Sequence, residues 1–539
     1  VIARARVLRR SLSALSRSRR LHARAKPRAR AVIMARSIMA GRKRYSVIRD
    51  PVHGDVYLTH EELELLDTPE MQRLRGVKQL GTAYLVFPGA VHTRFDHSIG
   101  SLHMAARMID AVNLSFELDP AQCVGISEEE ARVIRIAALV HDVTHIPFGH
   151  NIEDQDGIFG RHDSAARFRR MLGAGTSLGK RLRELGVASD VLAILGAGGV
   201  EDEVAPDMRA EKQAATPARA RVETPAETRV ETTHSPRAPK SATATIPAYW
   251  SQIVSGTIAC DILDYLARDA YFTGLRLSID PRVTSYFKVD RQSGNLYIDL
   301  AKHDLLREDI LSEVVRMLEA RYYFSERVYY HHAKVAAGAL IARAVELALS
   351  AGAVREEDFY DQDDASVLEM LSRSVAKSEK RTRERVQKLV QRFKRRELYK
   401  RACVFPRYEN EAVQEKLVAR YFAGGGSKAR AEAEARITDL VRFATGKVVD
   451  VIVYCPAQKM QLKEARMHVR WPGIDRVEPL SSFSARVPRL ADLERSYRDL
   501  WKFYVFADTA DPKLLAKVQE AAKQEFAEAT NAYNAASRK

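Results

Sequence analysis

At 539 residues the chain is long enough for one large core and a smaller lobe, and its apolar (46%) and charged (29%) fractions are ordinary for a globular protein. No apolar run approaches the ~18 residues of a membrane span, and the four cysteines (Cys123, Cys260, Cys403, Cys455) form no CxxC, which excludes a zinc knuckle and points to a reduced, cytoplasmic protein. The net charge of +16 is local: residues 1–44 carry thirteen Arg, two Lys and no acid (+15), and 16 − 15 leaves about +1 for the other 495, so nucleic acid is at most a secondary partner.

In chain order, the basic head 1–44 reads as a transit peptide, a disordered arm, or sequence upstream of a mis-assigned start, since Met34 and Met39 precede the first patterned residues. Ser46 to Leu58 predicts a short hairpin around Pro51 and Gly54. Thr59 and Glu62 have capping-box spacing for a helix through Leu66, and Asp67-Thr-Pro-Glu opens another through Met71, Leu74, Val77 and Leu80. Gly100–Val112 and Ser127–Val140 are apolar-periodic helices. Residues 201–247 hold eight acids, seven bases and almost no large apolar side chains, a composition that predicts a disordered insertion. Helices resume over Tyr249–Thr273, Arg307–Tyr323 and Val328–Ala351, with a strand at Asn295–Leu300. Beyond Asp363 come a basic helix (Ser378–Arg401), a Gly424-Gly-Gly-Ser loop, a strand at Lys447–Tyr454 and a last helix from about Pro512.

The chemistry centres on Leu139-Val-His-Asp-Val-Thr-His-Ile-Pro-Phe-Gly-His150. His141 and Asp142 end an apolar helix, where a charge-capable pair is costly unless a metal or hydrogen bonds satisfy it. One such pair is more often a satisfied core contact than a ligand set. Two further motifs shift the balance. Thr93-Arg-Phe-Asp-His-Ser-Ile-Gly100 supplies His97, and Cys260-Asp-Ile-Leu-Asp-Tyr-Leu-Ala-Arg-Asp269 places Asp261, Tyr265 and Asp269 on one helix face. His97, His141, Asp142 and Asp261 would hold one divalent ion (Fe, Mn, Mg, Co or Zn) with open positions for water or phosphate oxygens.

These residues, in the order H…HD…D, resemble the signature of HD-domain metal-dependent phosphohydrolases. Asp67-Thr-Pro-Glu-Met-Gln-Arg-Leu-Arg75, Lys78-Gln-Leu-Gly81, Arg94-Phe-Asp-His-Ser98 and Asp264-Tyr-Leu-Ala-Arg-Asp269 resemble the deoxynucleoside triphosphate triphosphohydrolases more closely, nearest the SAM and HD domain-containing subgroup, although no SAM domain is present. The resemblance is strong over residues 45–351 and weaker beyond Asp363. It implies a mainly α fold: an HD helical core at 45–351, interrupted by 201–247, with a smaller α+β C-terminal lobe at 352–539 for oligomerisation and regulation.

By the same resemblance, the metal ligands would be His97, His141, Asp142 and Asp261. His162 would be the catalytic acid or proton relay, with Asp163 beside it where the family usually has Glu. Arg94, His145 and His150 would face the phosphates, Gln79 and Leu80 the deoxyribose, and Tyr265, Asp269, Arg321 and Tyr329 the rest of the pocket. Asp67, Gln72, Arg75, Arg396 and Lys400 match residues of an effector site for GTP or a dNTP between subunits of a homo-oligomer. Ser46 and Arg49 replace the usual Lys and Asn there, and Ile262 replaces a lysine that reaches the phosphates. The implied reaction releases a deoxynucleoside and intact triphosphate from a dNTP. Hydrolysis of another nucleotide phosphoester, or nucleic-acid binding by the basic segments with a vestigial HD site, are the alternatives.

Overall fold

The computed structural model describes residues 45–155, 157–197, 246–277, 279–458, 460 and 466–535. The head at 1–44 and nearly all of the 201–247 insertion lie outside the described residues. An antiparallel hairpin begins the described chain, with β1 (Ser46–Asp50) pairing β2 (Gly54–Leu58). Asp50 closes its turn by accepting from the backbone N–H groups of Val52 (2.9 Å) and His53 (2.8 Å). Thr59 and Glu62 then cap α1 (His60–Leu66) reciprocally, as their spacing predicts.

The helix expected from Asp67 to Leu80 stops early. Its regular part, α2, spans only Pro69–Arg73, and one 3-10 turn follows at Leu74–Gly76. A Cβ at Gly76 would lie 2.5 Å from the Cβ of Asp363, so the backbone is pressed against a distant part of the chain. Val77 then turns extended and accepts the Arg94 N–H at 2.9 Å.

The helical core is built from α3 (Arg94–Leu118), α4 (Glu128–Val140) and α5 (Cys260–Thr273), with α3 packed against the other two. Capping boxes from Thr93–Asp96 and Ser127–Glu130 start α3 and α4. Ile134, Ile136, Leu139 and Val140 of α4 are fully buried, each contributing about 1.5–3 kcal/mol by removal from water. The stretch expected as one helix from Tyr249 to Thr273 is two, Ala248–Ser255 and α5, broken at Gly256. Likewise α6 begins at His332 and runs to Ser350, because Ser325–Tyr329 winds as a π turn first.

The basic helix α7 is shorter than expected, Lys380–Lys394, and Arg396 adopts a left-handed φ of 57° before the chain turns into a strand. Val386, Leu389, Val390 and Phe393 bury its apolar face, and Arg385 (with Asp450, 2.9 Å), Lys388 and Arg392 (with Asp508) and Lys394 (with Glu369) are paired. Much of its charge is therefore neutralised locally, which weakens the reading of this helix as a phosphate-backbone surface.

Two further sheets, of four and three strands, complete the fold, beside a two-stranded hairpin pairing Ala301–Lys302 with Leu305–Leu306. In the first, β3 (Phe287–Val289) and β4 (Leu296–Asp299) join two strands from much later in the chain. In the second, β5 (Lys400–Pro406) and β6 (Val451–Tyr454) flank a third strand. The late strands of the first sheet are β7 (His468–Arg470), parallel to β4, and β8 (Val477–Pro479) at its edge. The centre of the second is β9 (Lys502–Ala507), antiparallel to both neighbours. One continuous set of buried apolar side chains runs from Val56 to Ala535. The protein is mainly α with a smaller mixed C-terminal region, no described helix is long and apolar enough to cross a membrane, and all four cysteines are free and buried.

Candidate metal centre and substrate cavity

Three helix ends meet at the His–Asp cluster. His97 lies in the first turn of α3, His141 and Asp142 follow the last residue of α4, and Asp261 lies in the first turn of α5. The donor atoms of His97, His141 and Asp142 fall within 4.8 Å of one another. Asp261 Oδ1 stands 3.0 Å from His97 Nε2 and 3.9 Å from His141 Nε2. His141 donates Nδ1–H to the Ala138 carbonyl at 2.8 Å, which caps the end of α4 and fixes the tautomer. Its Nε2 is then a buried acceptor with no hydrogen-bond partner, aimed into the cluster. Burial opposes a charge on His97, yet hydrogen bonds to Asp261 and Asp264 outweigh it and push the imidazole up to about 10. A pocket that retains a positive charge between carboxylates, beside an orphaned imidazole nitrogen, fits a divalent ion held by His97, His141, Asp142 and Asp261.

A second layer orients that set. Asp264 accepts from His97 Nδ1 at 2.7 Å and from His53 Nε2 at 2.6 Å. Arg268 binds Asp264 from the next turn of α5 (Nη2 to Oδ1, 2.9 Å) and reaches Asp50 of the hairpin at 2.8 Å. Gly100 makes room for this pair, because a Cβ there would fall 1.9 Å from Asp264 Oδ1 and 2.4 Å from Arg268 Nη2. Carboxylate–histidine contacts of this kind fix ring orientation and raise ligand basicity.

Next to the cluster stand His145, His150 and His162, whose donor atoms also lie within 4.8 Å of one another. The His145 and His162 rings stack at 3.7 Å with only 20° between their planes, so their in-plane lone pairs lie in nearly parallel, offset planes, a poor arrangement for sharing one ion. His145 Nε2 touches Asp142 Oδ1 at 3.1 Å, and His150 is half exposed, 3.7 Å from Asp154. His162 Nδ1 donates to Glu153 at 3.0 Å, and buried Arg167 holds Glu153 in turn. Burial lowers the His162 pKa, opposed by the Glu153 hydrogen bond. Asp163, expected beside His162, is exposed and bonds Arg161 at 3.0 Å instead. The carboxylate that serves His162 is Glu153, which no motif had singled out.

A cavity of about 590 Å³ opens over both groups, and Gln79, Leu80, Arg94, Tyr265, Asp269 and Arg321 are on its wall. Arg94 Nη1 donates to Asp142 Oδ2 at 2.6 Å. Burial would raise the Asp142 carboxyl, but the charges of Arg94, His145 and His141 hold it well below the usual range. Tyr329 donates its hydroxyl to Asp269 Oδ2 at 2.8 Å, and His92 Nε2 contacts the other Asp269 oxygen at 2.8 Å. Ile262 gives the wall an apolar side chain, and Lys334, unnoticed in the sequence, brings an ammonium group. Its Nζ donates to the Tyr329 carbonyl at 3.1 Å, and burial lowers its pKa to about 8. Away from the cavity, Arg75 donates Nε to Gln72 Oε1 at 2.8 Å and stacks over Phe95, Asp67 is exposed at the end of α1, and Arg396 donates to the Leu85 carbonyl at 2.7 Å. Lys400 begins β5.

Residues 94–189 match the HD domain and residues 302–533 match the HD associated region, so the chain carries an HD domain followed by an HD associated region. It is similar to the deoxynucleoside triphosphate triphosphohydrolase SAMHD1 of Danio rerio, 29% identical over 53% of this chain and 42% of that one. Over a shorter stretch, 19% of this chain and 16% of the other, it is 44% identical to the protein of that name from Homo sapiens. The chain thus spans less than half the length of these curated relatives. An uncharacterised protein of Methanocaldococcus jannaschii is 24% identical over 86% of this chain and 79% of its own. The crystal structure of a hypothetical protein from Aquifex aeolicus shares the fold, with a TM-score of 0.54 at 20% identity, covering 88% of this chain and 99% of that one.

Proposed function

We propose that the chain is a metal-dependent phosphohydrolase that converts a deoxynucleoside triphosphate into the deoxynucleoside and inorganic triphosphate. The observation that carries the reading is one cavity whose wall joins the His–Asp cluster, the His145/His150/His162 group and the Gln79-Leu80 and Asp269–Tyr329 elements. The relatives named triphosphohydrolases support it. His97, His141, Asp142 and Asp261 would hold the divalent ion, which would supply water activation and neutralisation of charge on the phosphate oxygens.

The chain's own groups do the rest. Arg94, with Arg161 and Lys334 on the same wall, meets the triphosphate, offsetting the cation missing at Ile262. The leaving 5′-oxygen needs a proton, and His162 delivers it from Nε2 while Glu153 holds Nδ1. Triphosphate bound beside His162 raises its proton affinity against the effect of burial. Leu80 and Gln79 meet the deoxyribose, where a tight fit excludes a 2′-hydroxyl, and Asp269 and Tyr329 line the sugar and phosphate pocket.

The test is incubation with each dNTP and each NTP plus Mn or Mg, with the released phosphate species resolved. Triphosphate from dNTPs alone is expected. Pyrophosphate, or turnover confined to monophosphates or cyclic nucleotides, would overturn the reading. Homo-oligomerisation and activation by GTP or a dNTP through Asp67, Gln72 and Arg75, with Arg396 and Lys400, belong to the same proposal. Sedimentation with and without each nucleotide checks them.

A further inference from the structure

The two walls of the cavity come from separate stretches of chain, and one buried carboxylate touches both. Asp364 Oδ2 accepts the backbone N–H of Lys78 at 3.1 Å, immediately before Gln79-Leu80. Its Oδ1 accepts the backbone N–H of Phe148 at 3.3 Å, in the turn between His145 and His150. That turn is strained: Phe148 has a φ of 60°, a left-handed conformation uncommon for a bulky residue, and persists only where its surroundings hold it. Lys78 Nζ lies 3.6 Å from the same carboxylate. Arg73 adds a second brace, joining the Gln362 carbonyl (3.1 Å) to those of Val143 (2.9 Å) and His145 (2.8 Å). Asp364 lies outside the residues that match the HD domain and inside those that match the HD associated region.

We propose that Asp364 is a positioning residue that sets the spacing of the His145–His150 turn against the Lys78–Leu80 wall, so that the HD associated region fixes the geometry of the reacting end of the cavity. It rests on the triphosphohydrolase reading for its kinetic readout only. An ionised carboxylate offers acceptors to both amides at once. Asparagine has one acceptor oxygen and sets its NH2 against the other N–H, and alanine satisfies neither. A displacement of about 1 Å at a reacting group costs on the order of 100-fold in rate.

The experiment measures kcat, KM and metal content for the unaltered chain, Asp364→Asn and Asp364→Ala, with amide hydrogen exchange followed at Lys78 and Phe148. Expected are slow exchange at both amides in the unaltered chain and faster exchange in each variant. Metal content should be unchanged while kcat falls about 10-fold in Asp364→Asn and about 100-fold in Asp364→Ala. Unchanged kcat in the alanine variant overturns the proposal, as does a loss of activity that only tracks loss of metal. Fast exchange at either amide in the unaltered chain overturns it even if neither variant folds. An unaltered chain that releases no triphosphate overturns the functional reading instead, and the exchange result still decides this one.

Discussion

Glu153 accepts the Nδ1–H of His162 at 3.0 Å, and this bond gives the histidine both its tautomer and its direction. Burial works against a charge on Glu153, but hydrogen bonding to His162 and the neighbouring imidazoles keep its pKa well below the usual range, so it is ionised across the physiological window. Replacing it by Gln keeps the shape and removes the charge that supports a protonated imidazole. Glu153→Gln should lower kcat about 100-fold with little change in KM, since a positioned acid contributes roughly 10²–10⁴. Steady-state kinetics with a dNTP checks this, and an unchanged kcat would remove His162 from the acid role.

Metal removal should abolish turnover, and re-addition of Mn or Mg should restore it. Among ligand substitutions Asp261→Ala is cleaner than Asp142→Ala. Asp142 is the charge partner of buried Arg94, and its loss leaves an uncompensated cation worth about 3–5 kcal/mol of destabilisation. Asp261 is partly exposed, and His97 retains Asp264 when it goes. Metal analysis, melting temperature and activity on both variants should show loss of metal and rate in each, with a large drop in stability only for Asp142→Ala. Substantial activity in metal-stripped protein would sink the assignment.

Asp364 gives the chain a definite pH signature. Burial raises its carboxyl to about 6, only partly opposed by Lys78 and the two amides. An unfolded aspartate titrates near ~3.9. As pH rises from ~3.9 to ~6, the unfolded chain gives up this proton before the folded chain does, so the contribution to stability falls across that interval and stays low above it. The two-unit shift corresponds to on the order of 3 kcal/mol. Urea unfolding at pH 4.5 and 7 should show a smaller acid-side advantage in Asp364→Asn than in the unaltered chain. Equal pH differences in the two would contradict the shift.

Gly100→Ala tests the layer behind His97. A methyl group there collides with Asp264 and Arg268, neither of which can withdraw without losing a buried ionic contact. The cost should be about 1–3 kcal/mol of stability, with metal affinity down 10- to 100-fold. A variant with native melting and native metal affinity would show that the network can shift freely.

Local rules carried much of the architecture. The Asp50–Gly54 turn, the Thr59–Glu62 cap and the start of α4 at Ser127 follow from spacing alone, and so does the shared face of Asp261, Tyr265 and Asp269. What spacing could not reveal depends on contacts between distant segments. The chain after Asp67 leaves its helix by Gly76, which is pressed against Asp363, and nothing near Gly76 announces that neighbour. Glu153 carries no motif, and its part is legible only where His162 folds back onto it. Asp264 stands inside the recognised Asp264–Asp269 motif, but its hold on His97 is legible only in the fold, since His97 lies on another helix and Asp50, the far partner of Arg268, lies in the hairpin.

The Asp50–Arg268–Asp264–His97 chain of contacts has a practical consequence for dissecting this molecule. A fragment cut to the HD match, residues 94–189, would keep His97, His141 and Asp142 but surrender Asp261, Asp264, Arg268 and the hairpin. It would look catalytic on paper and be unable to aim its first imidazole. The smallest excisable unit that retains these contacts begins no later than β1 and extends through α5, so the centre belongs to a tertiary assembly larger than the segment that bears its signature.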